Sequence, residues 1–358
     1  MFTTLNITVV IPLYNKAHTI VGTLESVIQQ SRAADEIVII DDGSSDGSVD
    51  CVERHIAEQQ AAERPFEWNR IRIIRQNNQG VSAARNHGIA VARGNYIAFL
   101  DADDAWLPQY LEQIEKLHKE SRACPVLATA YQYELADKEF KQARYRFVAH
   151  SRNYFAMVAR GDLPFNSSSV CIAKTLLQKL QGFPVGQRMG EDQELWQRAA
   201  LCSQIAYSPL QLSLYRIEVA DRACDSQPEQ SECAYSLQLC ELAERLPADS
   251  LLREELIACS VTHLRQLARL NIQSGNAQVA LRLLSKAFRR MNDSKTACYL
   301  IWASAVWCKG KAIAMAQYCN ALLSSTFSAT KTGSNQKRLS ELRYRRRWRE
   351  TLNQQEQY

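Results

Sequence analysis

At 358 residues, 46% hydrophobic and 23% charged, the chain has room for a catalytic domain of ordinary size plus a smaller unit. That composition belongs to a folded protein and excludes a disordered or fibrous one. Its +5 net charge comes entirely from residues 337–349 (KRLSELRYRRRWR), where seven basic residues against one acidic give +6 and leave the remainder at −1. A near-neutral body excludes a general nucleic-acid binder, so the basic tail is a local feature.

From residue 5 to about 133, short β-rich runs alternate with helical patterns. Ile7 to Leu13, Glu36 to Asp41, Ile71 to Arg75, Tyr96 to Leu100 and Val126 to Tyr133 are near-continuous apolar runs, as expected of strands covered on both faces. Helix patterns lie between them at Thr19 to Gln30, Ser48 to Gln60, Val81 to Ala92 and Pro108 to Lys119. This alternation predicts an α/β fold with a mostly parallel, Rossmann-like sheet and right-handed crossovers. Residues 134–220 are mixed, with a turn at Gly182-Phe183-Pro184, a polar loop from Gly186 to Asp192 and a helix from Gln193 to Leu201. From about Glu229 the pattern is wholly helical. Leu251 to Leu270 and Ala277 to Met291 form a hairpin whose small residues Ala268, Gly275 and Ala280 fit a tetratricopeptide-type pair, without a second copy. Thr326 to Gln336 reads as a linker. The expected organisation is a domain over 1–228, in halves 1–133 and 134–228, a helical region over 229–326, and a linker with basic tail over 327–358.

The most apolar stretch, Ala297 to Cys308, is shorter than the roughly 20 residues a membrane helix needs. The N-terminus has neither a charged n-region nor an unbroken apolar run, so no secretory signal is read and a cytoplasmic location is expected. Eleven cysteines without a C-x-x-C pair argue for reduced thiols rather than a disulfide framework or zinc site. The histidines (18, 55, 87, 118, 150 and 263) lack ligand spacing and read as structural or surface residues.

In sheets of this kind ligands bind outside the carboxyl ends of the strands. Three polar clusters fall there. Asp101-Ala102-Asp103-Asp104 follows a central strand, and three carboxylates so close repel one another unless a cation holds them. A hard divalent ion, Mn2+ or Mg2+, bridging to substrate phosphates is the natural partner, while Asp104 alone could instead cap the next helix. Asp41-Asp42-Gly43-Ser44-Ser45-Asp46 is either an Asx-rich turn or a pair of acceptors for a nucleobase or ribose. Asn77 to Gly88 (NNQGVSAARNHG) opens a helix whose Ala83, Ala84 and Gly88 permit close packing. Its Arg85 can reach diphosphate oxygens or pair with the strand-end acids.

Together Val9-Ile11-Pro12-Leu13-Tyr14-Asn15, Ile39-Asp41-Asp42-Gly43-Ser44-Ser45-Asp46, Gly80 with Ala84-Arg85-Asn86 and Gly88, and Phe99 to Asp104 resemble the successive motifs of family 2 of the glycosyltransferases, over about residues 5–216. The resemblance implies the A-type glycosyltransferase fold, a nucleotide-sugar donor, a divalent metal and inversion at the anomeric carbon. By position, it implies that Pro12, Tyr14, Asn15 and Asp42 line the nucleoside pocket with Asp41 beside them. Arg85, Asp101 and Ala102 belong to the donor site, and Asp103 is the principal metal ligand with Asp101 in the same shell. Gly190-Glu191-Asp192-Gln193-Glu194-Leu195-Trp196 is similar to the family's acidic motif, which makes Asp192 the base and Glu191 its neighbour or substitute. Both acids also suit the positive end of a helix in their own right. One departure is visible: members often carry Tyr-Arg-x-His after the last strand, and this chain has Tyr215-Arg216-Ile217-Glu218. Phe165, Phe183 and Trp196 read as core rather than as a sugar platform.

On a helix Tyr344, Trp348 and Leu352 share one stripe among arginines. The segment 337–352 therefore suits either an anionic membrane surface, giving a peripheral position beside a lipid-linked acceptor, or a solvated basic end. The expected function is transfer of a sugar, UDP-linked in the first instance, to a saccharide or lipid-linked saccharide in bacterial envelope polysaccharide or lipopolysaccharide assembly. The alternatives are an inactive transferase-like scaffold and a nucleotidyltransferase. The latter usually wants a Gly-rich basic loop, which Pro12-Leu13-Tyr14-Asn15-Lys16 does not offer.

Overall fold

The computed structural model describes residues 4–121, 124–134, 140–142, 151–187, 189–216 and 230–308. Strands β1 (Ile7–Leu13), β2 (Glu36–Asp41), β3 (Ile71–Arg75) and β4 (Tyr96–Phe99) run parallel in the order β3-β2-β1-β4. Helices α1 (Ile20–Ile28), α2 (Ser48–Ala61) and α3 (Val81–Val91) form the crossovers. Every residue of β1, β2 and β4 is buried, as a sheet covered on both faces requires. Pro12 is tolerated in β1 because pairing to β4 ends at Val10, so no ladder bond on that side needs its missing N–H. The small face of α3 sets how closely it lies on β1. A Cβ on Gly88 would stand 2.3 Å from Val10 Cγ1, so only glycine fits.

The second half extends the same sheet. It comprises β5 (Ala105–Trp106), α4 (Tyr110–Glu120), β6 (Val126–Glu134), β7 (Phe140–Gln142), α5 (Ser151–Arg160), β8 (Val170–Ala173), α6 (Lys174–Lys179), α7 (Glu191–Cys202) and β9 (Ile205–Arg216). The order continues β4-β8-β6-β9-β5, with β7 on β6. The long β6–β9 ladder is parallel, whereas the antiparallel contacts of β8, β5 and β7 involve two or three residue pairs each. The sheet is therefore mostly parallel, as the apolar runs predict. The β6–β9 register shifts after Thr129, opposite the segment that contains Pro209, which has no N–H to give.

Where the halves meet, Phe99, Phe183, Trp196 and Phe165 pack edge to face with centroids 5.2, 5.6 and 5.9 Å apart in succession. All are buried, each contributing roughly 1.5–3 kcal/mol of burial free energy. They are core, as expected. Asn86 on α3 ties the halves by its side chain: Nδ2 donates to Phe183 O and Oδ1 accepts from Phe183 N, both at 2.8 Å.

Helices α8 (Ala234–Glu244), α9 (Leu251–Gln273) and α10 (Ala277–Arg290) follow, and helical structure resumes over 294–303. The α9–α10 hairpin buries Ala268 and Ile272 with Ala280 and Leu284. Helix α9 also docks on α5, with Thr262 Oγ1 donating to Ala159 O at 2.6 Å. A buried carboxylate, Glu232, is paired by Lys286 and Arg290. By compactness the chain divides into Met1–Ala303 and Ser304–Tyr358, and the described part of the second unit, 304–308, is helical. Among the described residues the cysteines are free and no helix is long and apolar enough to cross a membrane. Glu218, His150, Cys224, Cys319, the linker 326–336 and the basic segment 337–352 lie outside the described residues.

Candidate active site

The strand ends of β1, β2 and β4 are stitched together by short side chains. After β1, Asn15 turns into the left-handed region (φ 50°) and its Oδ1 accepts from Ser45 N at 2.8 Å. Asn15 N donates to Ser44 Oγ at 3.1 Å, and Lys16 N to Ser48 Oγ at 2.8 Å. Tyr14, half-exposed, projects beside this turn, whereas Pro12 is buried in the strand. Asp41 Oδ1 accepts from Ser44 N at 3.0 Å, closing the turn after β2. Asp42 is buried and receives three donors: Gln76 Nε2 (2.7 Å), Gln79 N (2.9 Å) and Gly80 N (2.8 Å). The Asx-turn reading thus holds for Asp41, while Asp42 pins the entrance of α3 to the end of β2.

The four-residue acidic run after β4 divides into two environments. Asp101 pairs with Arg85 Nη2 at 2.7 Å and Asp103 with Lys16 Nζ at 2.9 Å, and both carboxylates are partly open to solvent. Asp104 is buried instead. Its carboxylate accepts from Ser168 Oγ and from Arg216 N, and burial, reinforced by the charges of Asp101 and Asp103, pushes it well above the carboxylate range. It does not cap the following helix, which opens at Gln109 without a side-chain cap. Ala102 is buried, and its carbonyl accepts from Thr23 Oγ1 at 2.9 Å.

Arg85 is the hub. Its side chain is 4% exposed, yet Nη2 reaches Asp101 and Nη1 reaches Glu191 Oε1 at 3.1 Å, 106 residues along the chain. Its guanidinium carbon lies 5.1 Å from the centroid of the Phe183 ring. Burial disfavours the guanidinium charge, but the charges on Asp101, Glu191 and Asp192 outweigh it and raise Arg85 above its ordinary value. Asp101 after β4 and Glu191 in the first turn of α7 are thereby joined through one guanidinium. Glu191, Asp192 and Glu194 occupy the first turn of α7, which begins at Glu191, two residues earlier than the sequence pattern indicates. Asp192 is pushed up to about 7 by burial and by the Glu191 charge, against the opposing pull of Arg85 and of the Gln193 N–H that it accepts at 2.7 Å.

The donor set after β4 is chemically suited to a hard cation shared with phosphates. Among the described residues no three His, Cys, Asp or Glu side chains gather into a closed metal cage. Two neighbouring, partly exposed carboxylates are what magnesium or manganese requires from protein when substrate oxygens complete the shell. The sequence reading did not single out Lys16, Ser168, Tyr235 or His263. Ser168 receives Asp101 N at 3.1 Å and donates to Asp104, a link across 64 residues with no local pattern to betray it. Lys16 directly follows the Val9–Asn15 motif, and its distance from Asp103 in sequence concealed the pair.

Residues 8–177 match the sequence profile of glycosyl transferase family 2. The glycosyltransferase GlyG of Streptococcus pneumoniae serotype 4 is 29% identical over 225 residues, 59% of this chain and 70% of that protein. In three dimensions the chain is similar to S. aureus TarS 1-349 in complex with UDP-GlcNAc, with a TM-score of 0.60 at 16% identity, covering 84% of this chain and 88% of that one. It is also similar to the mannosyltransferase PcManGT from Pyrobaculum calidifontis in complex with GDP-Man and Mn2+, with a TM-score of 0.51 at 17% identity, covering 87% and 81%. The two structural likenesses establish the fold, and over residues 8–177 the chain is similar in sequence to glycosyl transferase family 2.

Proposed function

We propose that the chain is an inverting, metal-dependent glycosyltransferase that moves a sugar from a nucleotide-diphosphate donor, a UDP-sugar in the first instance, to a saccharide or lipid-linked saccharide acceptor. The observation that carries this reading is the buried Arg85 bridge, which brings the Asp101 side and the Glu191–Asp192 side into one site. The TarS complex with UDP-GlcNAc and the PcManGT complex with GDP-Man and Mn2+ support donor and metal by likeness of fold.

In this reading Tyr14 offers its exposed ring to the base, and Asn15, Asp41 and Asp42 hold the loops that shape the nucleoside pocket. Asp103, with Asp101, would hold a divalent ion that neutralises the departing diphosphate. Asp192 takes the proton of the acceptor hydroxyl as its oxygen bonds to the anomeric carbon from the face opposite the leaving group. The bond to the diphosphate breaks with its electron pair on phosphate, and configuration inverts. A base whose carboxyl sits near neutrality is well matched to that proton. Glu191 stays paired with Arg85 and fixes the first turn of α7. The pathway we assign is envelope polysaccharide assembly at the cytoplasmic face of the membrane, with 337–352 as the membrane-facing segment.

Calorimetric titration with UDP, GDP and a TDP nucleotide, each with and without Mn2+, tests the donor site. Metal-dependent binding of one diphosphate, abolished in Asp103→Ala, is the expected result. No binding of any of the three refutes it and favours a scaffold that has kept the fold without the chemistry.

A further inference from the structure

Helix α7 is preceded by Gly190, whose φ of +82° is left-handed and whose missing side chain can offer no cap. The two acids it introduces, Glu191 and Asp192, must nevertheless be held in place, so the turn has to be fixed from outside. What lies against it is Tyr235, from the first turn of α8. A Cβ on Gly190 would fall 2.5 Å from Tyr235 Cε1 and 2.8 Å from Cδ1, so the ring edge rests on the Gly190 backbone.

Tyr235 is in turn fixed from α9. Its hydroxyl lies 2.6 Å from His263 Nδ1, with ring centroids 4.7 Å apart, and both side chains are buried. His263 Nε2 accepts from Cys233 N at 3.3 Å, which assigns the proton to Nδ1 and makes the imidazole donate to the tyrosine oxygen. Burial keeps that imidazole neutral, pushed down to about 4. Burial raises the Tyr235 hydroxyl well above its usual value, and the Asp192 carboxylate is among the charges that add to this. Gln193, Thr262, Tyr235 and His263 also border a cavity of about 40 Å³. That is room for a water molecule or so and far too little for a sugar ring, so the contact is not an acceptor subsite.

We propose that Tyr235 and His263 are a positioning pair for the transfer reaction, holding the Gly190 turn so that Glu191 and Asp192 keep their place opposite Arg85. The helical region is on this account part of the catalytic machinery. The proposal rests on the reading of Asp192 as base, and the experiment separates the two.

Full-length wild type, Tyr235→Phe, His263→Leu, His263→Asn and Asp192→Asn are compared by three measurements. The first is the affinity for UDP with Mn2+. The second is the release of UDP from UDP-GlcNAc with water as acceptor. The third is hydrogen exchange of the Glu194 amide, which donates to Gly190 O and so reports on the turn without any donor. Tyr235→Phe and His263→Leu are expected to slow UDP release about tenfold with UDP affinity within about twofold, and to speed exchange at Glu194 about tenfold. His263→Asn, which retains a nitrogen donor near the same point, restores most of both. Wild-type release and exchange in Tyr235→Phe, beside an inert Asp192→Asn, overturn the pair. Full activity of Asp192→Asn withdraws the base itself and the proposal with it. Exchange decides by itself where UDP-GlcNAc is not turned over, a wild-type rate in Tyr235→Phe again being the overturning result.

Discussion

Replacing Arg85 by methionine removes the cation that spans Asp101 and Glu191 while keeping most of the aliphatic stem and its packing beside Phe183. Breaking a fully buried ion pair from one side typically costs 3–5 kcal/mol, because the partner is left charged and unpaired. Here Arg85 is 4% exposed but its partners are 27% and 14% exposed, so water recovers part of the loss. Discounting for that access gives roughly 2–3 kcal/mol at pH 7.5. Urea unfolding at pH 7.5, with the slope of the transition checked for constancy, measures this. A variant within about 0.5 kcal/mol of wild type would refute the bridge as an electrostatic element.

Asp192→Asn is expected to stabilise the protein as it disables it. The folded carboxyl is raised to about 7 against 3.8 for the ordinary group, so the native state holds a proton that the unfolded chain has released. Wild-type stability therefore falls as pH rises from about 4 to 7, and the asparagine variant escapes the fall. At pH 8 it should be roughly 2–4 kcal/mol the more stable by urea unfolding and at pH 4 equal to wild type, and equal stability at pH 8 would contradict the raised carboxyl. Removing residues 337–358 should shift the protein from the membrane to the soluble fraction without altering UDP affinity; unchanged fractionation counts against the membrane role of 337–352.

The elements of the first half were legible because burial on both faces leaves β1, β2 and β4 apolar almost throughout, so composition alone marks them. The same signal fails after residue 134. Strand β8 is four residues long and follows the serine run Ser167–Ser169, β5 is two residues, and β9 is interrupted by Pro209, so none shows a period to read. The site acids were visible as clusters, and Arg85 as a cation able to meet them. Their partition was not: that Asp104 belongs to the fold while Asp101 and Asp103 face solvent depends on Ser168 and Arg216, both far off in sequence. The Tyr235–His263 contact was equally hidden, since a lone histidine on a helix carries no sign of what lies 28 residues before it.

Consecutive residues of α3 reach across the molecule for different purposes, Arg85 to Glu191 and Asn86 to the backbone of Phe183. The amide of Asn86 copies the paired donor and acceptor of a strand edge, so a helix is laced to a turn as though it were a neighbouring strand. Anyone recombining this chain with a relative to exchange acceptor preference therefore faces an awkward seam. A crossover near residue 134 separates the halves in sequence but leaves α3 with the wrong counterpart. Chimaeras that carry 77–92 together with 180–196 from the same parent keep both the lacing and the charge bridge, and those are the ones that should fold.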